Sequence, residues 1–155
     1  MTFTFKEQRE KKAFLALADG NVFHGYSVGA PADIQGEAVF NTSMIGYQEI
    51  LSNPLYKGKL IVMTAPEIGS YGTNQEGMVS DKFFASGLIM RSINEASNWS
   101  SEESLESALV RHNTPAIAGI DTRALTHILR ESGPQKAFIC ASASLEPSEA
   151  IKRLC

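Results

Sequence analysis

Cysteine is scarce: two occur in 155 residues, Cys140 inside an apolar run and Cys155 at the last position. This excludes the dense, even spacing of a disulfide scaffold and makes a reducing cytoplasm the expected setting. Basic charge is short as well, with 14 Lys and Arg against 17 Asp and Glu, a net charge of -3 and a pI near 5.6. Proteins that bind nucleic acid or anionic lipid carry basic patches, so neither partner is expected. Long apolar runs are also missing. The charged start MTFTFKEQREKK is followed by only six apolar residues, Ala13 to Ala18, too few for a signal sequence or a membrane span. The sequons Asn41-Thr42-Ser43 and Asn98-Trp99-Ser100 therefore have no secretory context.

What is present is a chain of 43% hydrophobic residues, long enough to bury roughly 70% of the surface its unfolded form exposes. Ala13 to Ala18 and Val22 to Tyr26 read as two strands joined by the tight turn Asp19-Gly20-Asn21, because Asp-Gly and Gly-Asn supply the positive φ such turns need. A Gly/Ala/Pro-rich loop from Gly29 to Gly36 leads to a strand at Ala38 to Phe40, a short helix from Tyr47 ending at Asn53-Pro54, and a strand at Leu60 to Met63. Proline disfavours helical geometry in the residue before it, which sets that helix end. Gly87 to Met90 is the next expected strand.

From Ser100 the pattern becomes helical. Ser100 with Glu103 matches a capping box, and Leu105, Ala108 and Leu109 share one face of a helix expected to run to about His112. Ala116 to Gly119 reads as a buried strand. Asp121 is the expected N-cap of a second helix, with Ala124, Leu125, Ile128 and Leu129 as its stripe and Gly133-Pro134 as its stop. Ala137 to Ala141 is another strand, and past Ser144 a third helical pattern begins and runs to the last residues. Continuous apolar strands alternating with helices argue for α/β packing with both sheet faces covered.

Chemistry-bearing patterns are thin. Cys140 lies in Ala137-Phe138-Ile139-Cys140-Ala141, where a small buried hydrophobe is expected rather than an activated thiolate. Neither cysteine sits in a Gly-x-Cys-x-Gly elbow, and Ser43 is not in a Gly-x-Ser-x-Gly elbow. Ser43 reads as a turn or cap residue, with an independent hydrolase the weakest alternative. His24, His112 and His127 show no metal-ligand spacing. Gly69-Ser70-Tyr71-Gly72 permits an anion nest but lacks the following Lys-Ser/Thr of a phosphate loop. Asp121-Thr122-Arg123 reads as a cap and an exposed arginine rather than an acid-base cluster. Tyr47, Gln48 and Glu49 are either a solvated helix face or a contact surface.

Three long phrases carry a resemblance: FNTSMIGYQEIL at Phe40 to Leu51, PEIGSYGTN at Pro66 to Asn74, and GIDTRALTHILRESG at Gly119 to Gly133. With the opening LADGNVFHG they resemble the N-terminal domain of the small, glutamine-hydrolysing chain of carbamoyl-phosphate synthetase, in order and without large gaps from about Ala13 to Ala141. The resemblance implies a layered β/β/α, swivelling-type α/β domain over 13–144. Residues 1–12 are then an N-terminal extension, and 145–155 the start of a helix or linker toward a class I glutamine amidotransferase domain with a Cys-His-Glu triad.

The family function so implied is a cytoplasmic ligase of pyrimidine and arginine biosynthesis. The small chain hydrolyses glutamine and passes ammonia to a large chain, to which ATP, bicarbonate and metal ions belong. This domain is expected to be non-catalytic and cofactor-free, docking to the large chain and flanking the glutaminase domain. The alternative is a free-standing binding module without a glutaminase partner. Relatives carry a serine that reaches the bound glutamine at the position of Leu55, so no substrate-binding residue transfers. Ser70 and Gly58-Lys59 also depart from the family pattern. Interface candidates are Asn41, Ser43, Tyr47, Gln48, Glu49, Gly69, Gly72 and Asn74.

Overall fold

A computed structural model describes residues 11–42, 47–64, 78–93, 103–141 and 145–154. Seven strands appear among them: β1 (Lys12–Leu17), β2 (Val22–Ser27), β3 (Ile34–Asn41), β4 (Lys59–Met63), β5 (Gly87–Ile89), β6 (Ala116–Ala118) and β7 (Gln135–Cys140). Four helices accompany them: α1 (Tyr47–Ser52), α2 (Leu105–Arg111), α3 (Thr122–Ser132) and α4 (Pro147–Leu154). The strands pair in the order β1-β2-β6-β5-β4-β3-β7 and close into a barrel through β7 and β1. Neighbours from β3 through β4 and β5 to β6 are parallel, and the remaining pairings are antiparallel. The α/β class is as expected. The strands form one closed mixed sheet, where the resemblance implies a layered arrangement.

Period-two alternation explains the burial. Leu15, Leu17, Leu60, Val62, Ile89, Ile117, Ala137 and Ile139 belong to an inner cluster that takes in Leu125 and Leu129 of α3. Their sequence neighbours point outward. Ile61, Met63, Leu88, Met90, Ala116 and Ala118 pack under α1 and α2, while Phe14, Ala16, Phe138 and Cys140 pack under Ala150 and Leu154 of α4. β4, β5 and β6 are apolar on both sides because the barrel lumen and the outer helices both need filling.

The expected hairpin forms, with Ala16 opposite Val22, Gly20 at φ 99° and the Asp19 carboxylate accepting from the Asn21 amide at 2.9 Å. The Asp19 carboxyl is held below its ordinary value. Partial burial, which opposes this, is outweighed by its hydrogen bonds with Asn21 and Gln135. Two expected boundaries are corrected. β3 begins at Ile34, inside the segment expected to be loop, because β7 pairs with it from Ile34 to Ala38 before β4 takes over from Glu37. The α2 cap is Ser104, which accepts from the Ser107 amide at 3.1 Å. Glu103 pairs with Arg111 instead, and Ser100 lies outside the described residues. Asp121 caps α3 as expected, accepting from the Ala124 amide at 3.1 Å.

An added Cβ at Gly25, on β2, would stand 2.2 Å from the carbonyl oxygen of Ala118 on β6, against backbone that cannot yield. Replacing a strand glycine by alanine ordinarily gains a fraction of a kcal/mol, but here overpacking decides the sign. Gly25→Ala is expected to destabilise by about 1–3 kcal/mol in urea unfolding; unchanged or raised stability would count against this close approach.

His112 ends α2, stacks on Phe83 with centroids 4.2 Å apart, and accepts the Phe83 amide at Nδ1 at 3.4 Å. Its Nε2 is buried and has no hydrogen-bond partner among the described residues. Burial first, then the neighbouring Arg111 charge, holds its pKa below the usual 6.5, so the folded protein binds this proton less readily than the unfolded chain. The stability held by the neutral ring is intact above 6.5 and is lost as pH falls from there through the lower folded value. The stability difference between wild type and His112→Gln is therefore expected to shrink on going from pH 7.5 to pH 5; parallel profiles would refute it.

Candidate functional site

Two places on the barrel collect the polar residues that packing alone does not require. The first is the edge formed by α1 and the turn after it. Asn53 halts α1, and its side chain accepts from the Leu55 amide at 3.0 Å to cap a 3₁₀ turn, Pro54–Tyr56. This turn places Leu55 82% exposed. Ser52 ties the region together: its hydroxyl donates to the Gln48 carbonyl at 2.7 Å and accepts from the Val79 amide at 2.9 Å. Ser80 donates to the Ser52 carbonyl, and the amides of Phe84 and Ala85 donate to Leu51 at 2.7 and 3.1 Å. The carbonyls of Leu51 and Ser52, the last of α1, are thus satisfied by residues 80, 84 and 85. No sequence signal pointed to Ser52, because its partners lie 27 and 28 residues away.

The expected contact surface on α1 needs correction. Tyr47 is 1% exposed and sits in the outer cluster with Leu51, Ile61 and Phe83, and Gln48 is 8% exposed. A short helix laid on β4 and β5 turns its first residues inward, leaving Glu49 on the solvent side. Asn41 is the last residue of β3. Its carbonyl accepts from the Thr64 amide at 3.1 Å and the Thr64 hydroxyl at 3.2 Å, which holds the ends of β3 and β4 together. Ser43, Gly69, Gly72 and Asn74 lie outside the described residues.

The second place is a cleft of about 530 Å³ at the carboxyl ends of the parallel strands. Thr42 follows β3, Thr64 follows β4 and Arg91 follows β5, and α3 forms the opposite wall. Helical spacing sets that wall: Thr122, Thr126 and Arg130 recur every four residues, with Arg123 and His127 beside them. Arg130 also lies over the Phe40 ring at 5.6 Å, and His127 faces Glu131 at 3.4 Å. Arg123 is exposed, as its place in Asp121-Thr122-Arg123 suggests, but the cleft has no local sequence signature, since its walls come from four separate segments.

A nucleophile and base are not brought together among the described residues. Cys140 is fully buried beneath α4. Its cross-strand neighbour on β1 is Phe14, whose own neighbour on β2 is His24. Cysteine and imidazole are therefore two strand spacings apart, about 10 Å, with a phenyl ring between. His127 is exposed and His112 is stacked on Phe83. Among the described residues there is no group of three or more His, Cys, Asp or Glu that could hold a metal ion, and no helix long and apolar enough to cross a membrane.

Comparison with known proteins adds the family. A carbamoyl phosphate synthase small chain from Thermotoga maritima is 46% identical over 145 residues, covering 93% of this chain and 37% of that protein. The corresponding chains from Pseudomonas aeruginosa and Salmonella typhi are 48% and 46% identical, each with 92% of this chain and 38% of the relative covered. The chain thus spans little more than a third of these relatives' length, in their N-terminal part. A solved aminopeptidase from Aneurinibacillus sp. strain AM-1 aligns at a TM-score of 0.44 and 15% identity, over 82% of this chain and 29% of its own, too loosely to carry an argument. The family model for the carbamoyl-phosphate synthase small chain, CPSase domain, matches residues 15–139, and the chain belongs to that family.

Proposed function

We propose that this chain is the non-catalytic N-terminal domain of the small subunit of glutamine-dependent carbamoyl-phosphate synthetase. In that role it docks to the large subunit and flanks the glutaminase domain that supplies ammonia. The single observation that carries the reading is the family match over residues 15–139, confined to the N-terminal part of relatives about two and a half times as long.

Within this reading, the exposed edge at Glu49 and Leu55 is the part of the described surface that faces a neighbouring domain or subunit. The resemblance puts Leu55 at the position of a glutamine-contacting serine of the family, and the leucine side chain has no hydrogen-bond donor. The contribution of this edge is therefore one of shape. ATP, bicarbonate and metal ions are assigned to the large subunit, and the setting to the cytoplasm.

Two measurements test the proposal. The 155-residue chain is expected to hydrolyse glutamine at background rate, and turnover well above background would overturn the non-catalytic reading. Glu49→Lys is expected to weaken association with the large subunit several-fold in a titration, since rim charges steer encounter. Its melting temperature should stay nearly unchanged, because exposed substitutions cost under about 0.5 kcal/mol. Unaltered association would remove this edge from the interface.

A further inference from the structure

We propose that His112 is a proton-operated latch on the segment 79–84: its neutral ring holds that segment against the ends of α1 and α2, and its protonated ring releases it. The latch is independent of the docking reading. Residues 79–84 form neither helix nor strand, yet they are a piece of chain to which α1 is tied. The Val79 amide donates to the Ser52 hydroxyl at 2.9 Å, the Ser80 hydroxyl donates to the Ser52 carbonyl, and the Phe84 amide donates to the Leu51 carbonyl at 2.7 Å. Whatever holds this segment therefore steadies the end of α1 and the turn, Pro54–Tyr56, that follows it.

On the α2 side the hold is an aromatic stack and a ring nitrogen. Phe83 is buried in the outer cluster with Leu105 and Leu109 of α2, its ring stacks on the imidazole of His112 with centroids 4.2 Å apart, and its amide donates to Nδ1 at 3.4 Å. An imidazole accepts at one nitrogen only while it is neutral, because the cation carries a proton on both. Protonation turns the acceptor that faces the Phe83 amide into a donor. Two N–H groups then confront each other beside a buried ring, and relief comes from movement of the segment, whose neighbouring residues Asp81 and Lys82 are exposed. The charges around the ring act in both directions. Burial and the Arg111 guanidinium oppose the cation, whereas Glu103, paired with Arg111, and Asp81 of the segment itself favour it. Lys82 is turned to the Phe84 ring, 4.8 Å from its centroid. Burial and Arg111 prevail, and the ring keeps its neutral form to a pH below the usual 6.5. The latch is therefore closed at neutral pH and opens in mildly acidic solution.

The test uses the 155-residue chain and amide hydrogen exchange, with each rate divided by its intrinsic value at the same pH. At pH 7.5 the protection of the Val79, Phe83 and Phe84 amides is expected to lie at least about tenfold below that of Val62 and Ile117 in the strands, which marks local opening rather than global unfolding. Between pH 7.5 and pH 5 the protection of these segment amides should fall at least about threefold, in step with the His112 ring titration followed by NMR. In His112→Gln, whose side-chain oxygen accepts from the Phe83 amide at either pH, the fall should vanish. Arg111→Gln removes a charge that opposes protonation, and it should move the ring titration and the fall in protection to higher pH together. Protection that ignores pH, a fall that persists in His112→Gln, or segment amides that exchange only as slowly as the strands would overturn the proposal. So would a ring titration that moves in Arg111→Gln without the exchange following it.

Discussion

Closure of the sheet is the constraint on which the rest of this structure depends. Once β7 pairs with β1 and β6 with β2, no strand edge is left over, and every strand between has two faces to cover. The lumen takes one set of side chains, with Leu60, Val62, Ile89 and Ile117 meeting Leu125 and Leu129 of α3. The outside takes the alternate set and needs helices to shield it, which is the role of α1, α2 and α4. The seam at β2 and β6 is short, two residue pairs, and the backbones there approach so closely at Gly25 that only hydrogen fits on the α-carbon.

The same constraint decides where function can reside. Side chains that point into the lumen or under the helices are committed to packing, and this buries Cys140 and Tyr47. Polar side chains gather where strands end. The parallel run from β3 to β5 presents three carboxyl ends together, and α3 lies across them. Crevices outside the carboxyl ends of parallel strands are common ligand positions, because the loops there are free of the ladder while the strands fix their roots. The α1 edge is built differently. Its backbone is anchored by Ser52 to residues 79 and 80, so that Leu55 and Glu49 are displayed from a tied platform.

Much of the fold was legible because the signals were local. Asp19-Gly20-Asn21 gave the hairpin, Asp121 the start of α3, Asn53-Pro54 the end of α1, and short apolar runs the parallel strands. What escaped was set by partners distant in sequence. Ile34 and Gln35 look like loop residues until β7, more than a hundred positions later, pairs with them. Ser100 and Glu103 satisfy a capping pattern on paper, yet Ser104 takes the cap and Glu103 turns to Arg111. Tyr47 reads as a polar-edged aromatic, and only its seat against Ile61 and Phe83 shows it to be core.

The amino-acid order alone determined the α/β class, the element sequence and, through three long phrases, the family, because these depend on short-range periodicity and on residue identity. Tertiary structure alone decided that the sheet closes, which face of α1 meets solvent, and that Thr64, Arg91, Thr126 and Arg130 share one hollow. Those outcomes follow from strand pairing between segments far apart in the chain, and no local window of residues contains that information.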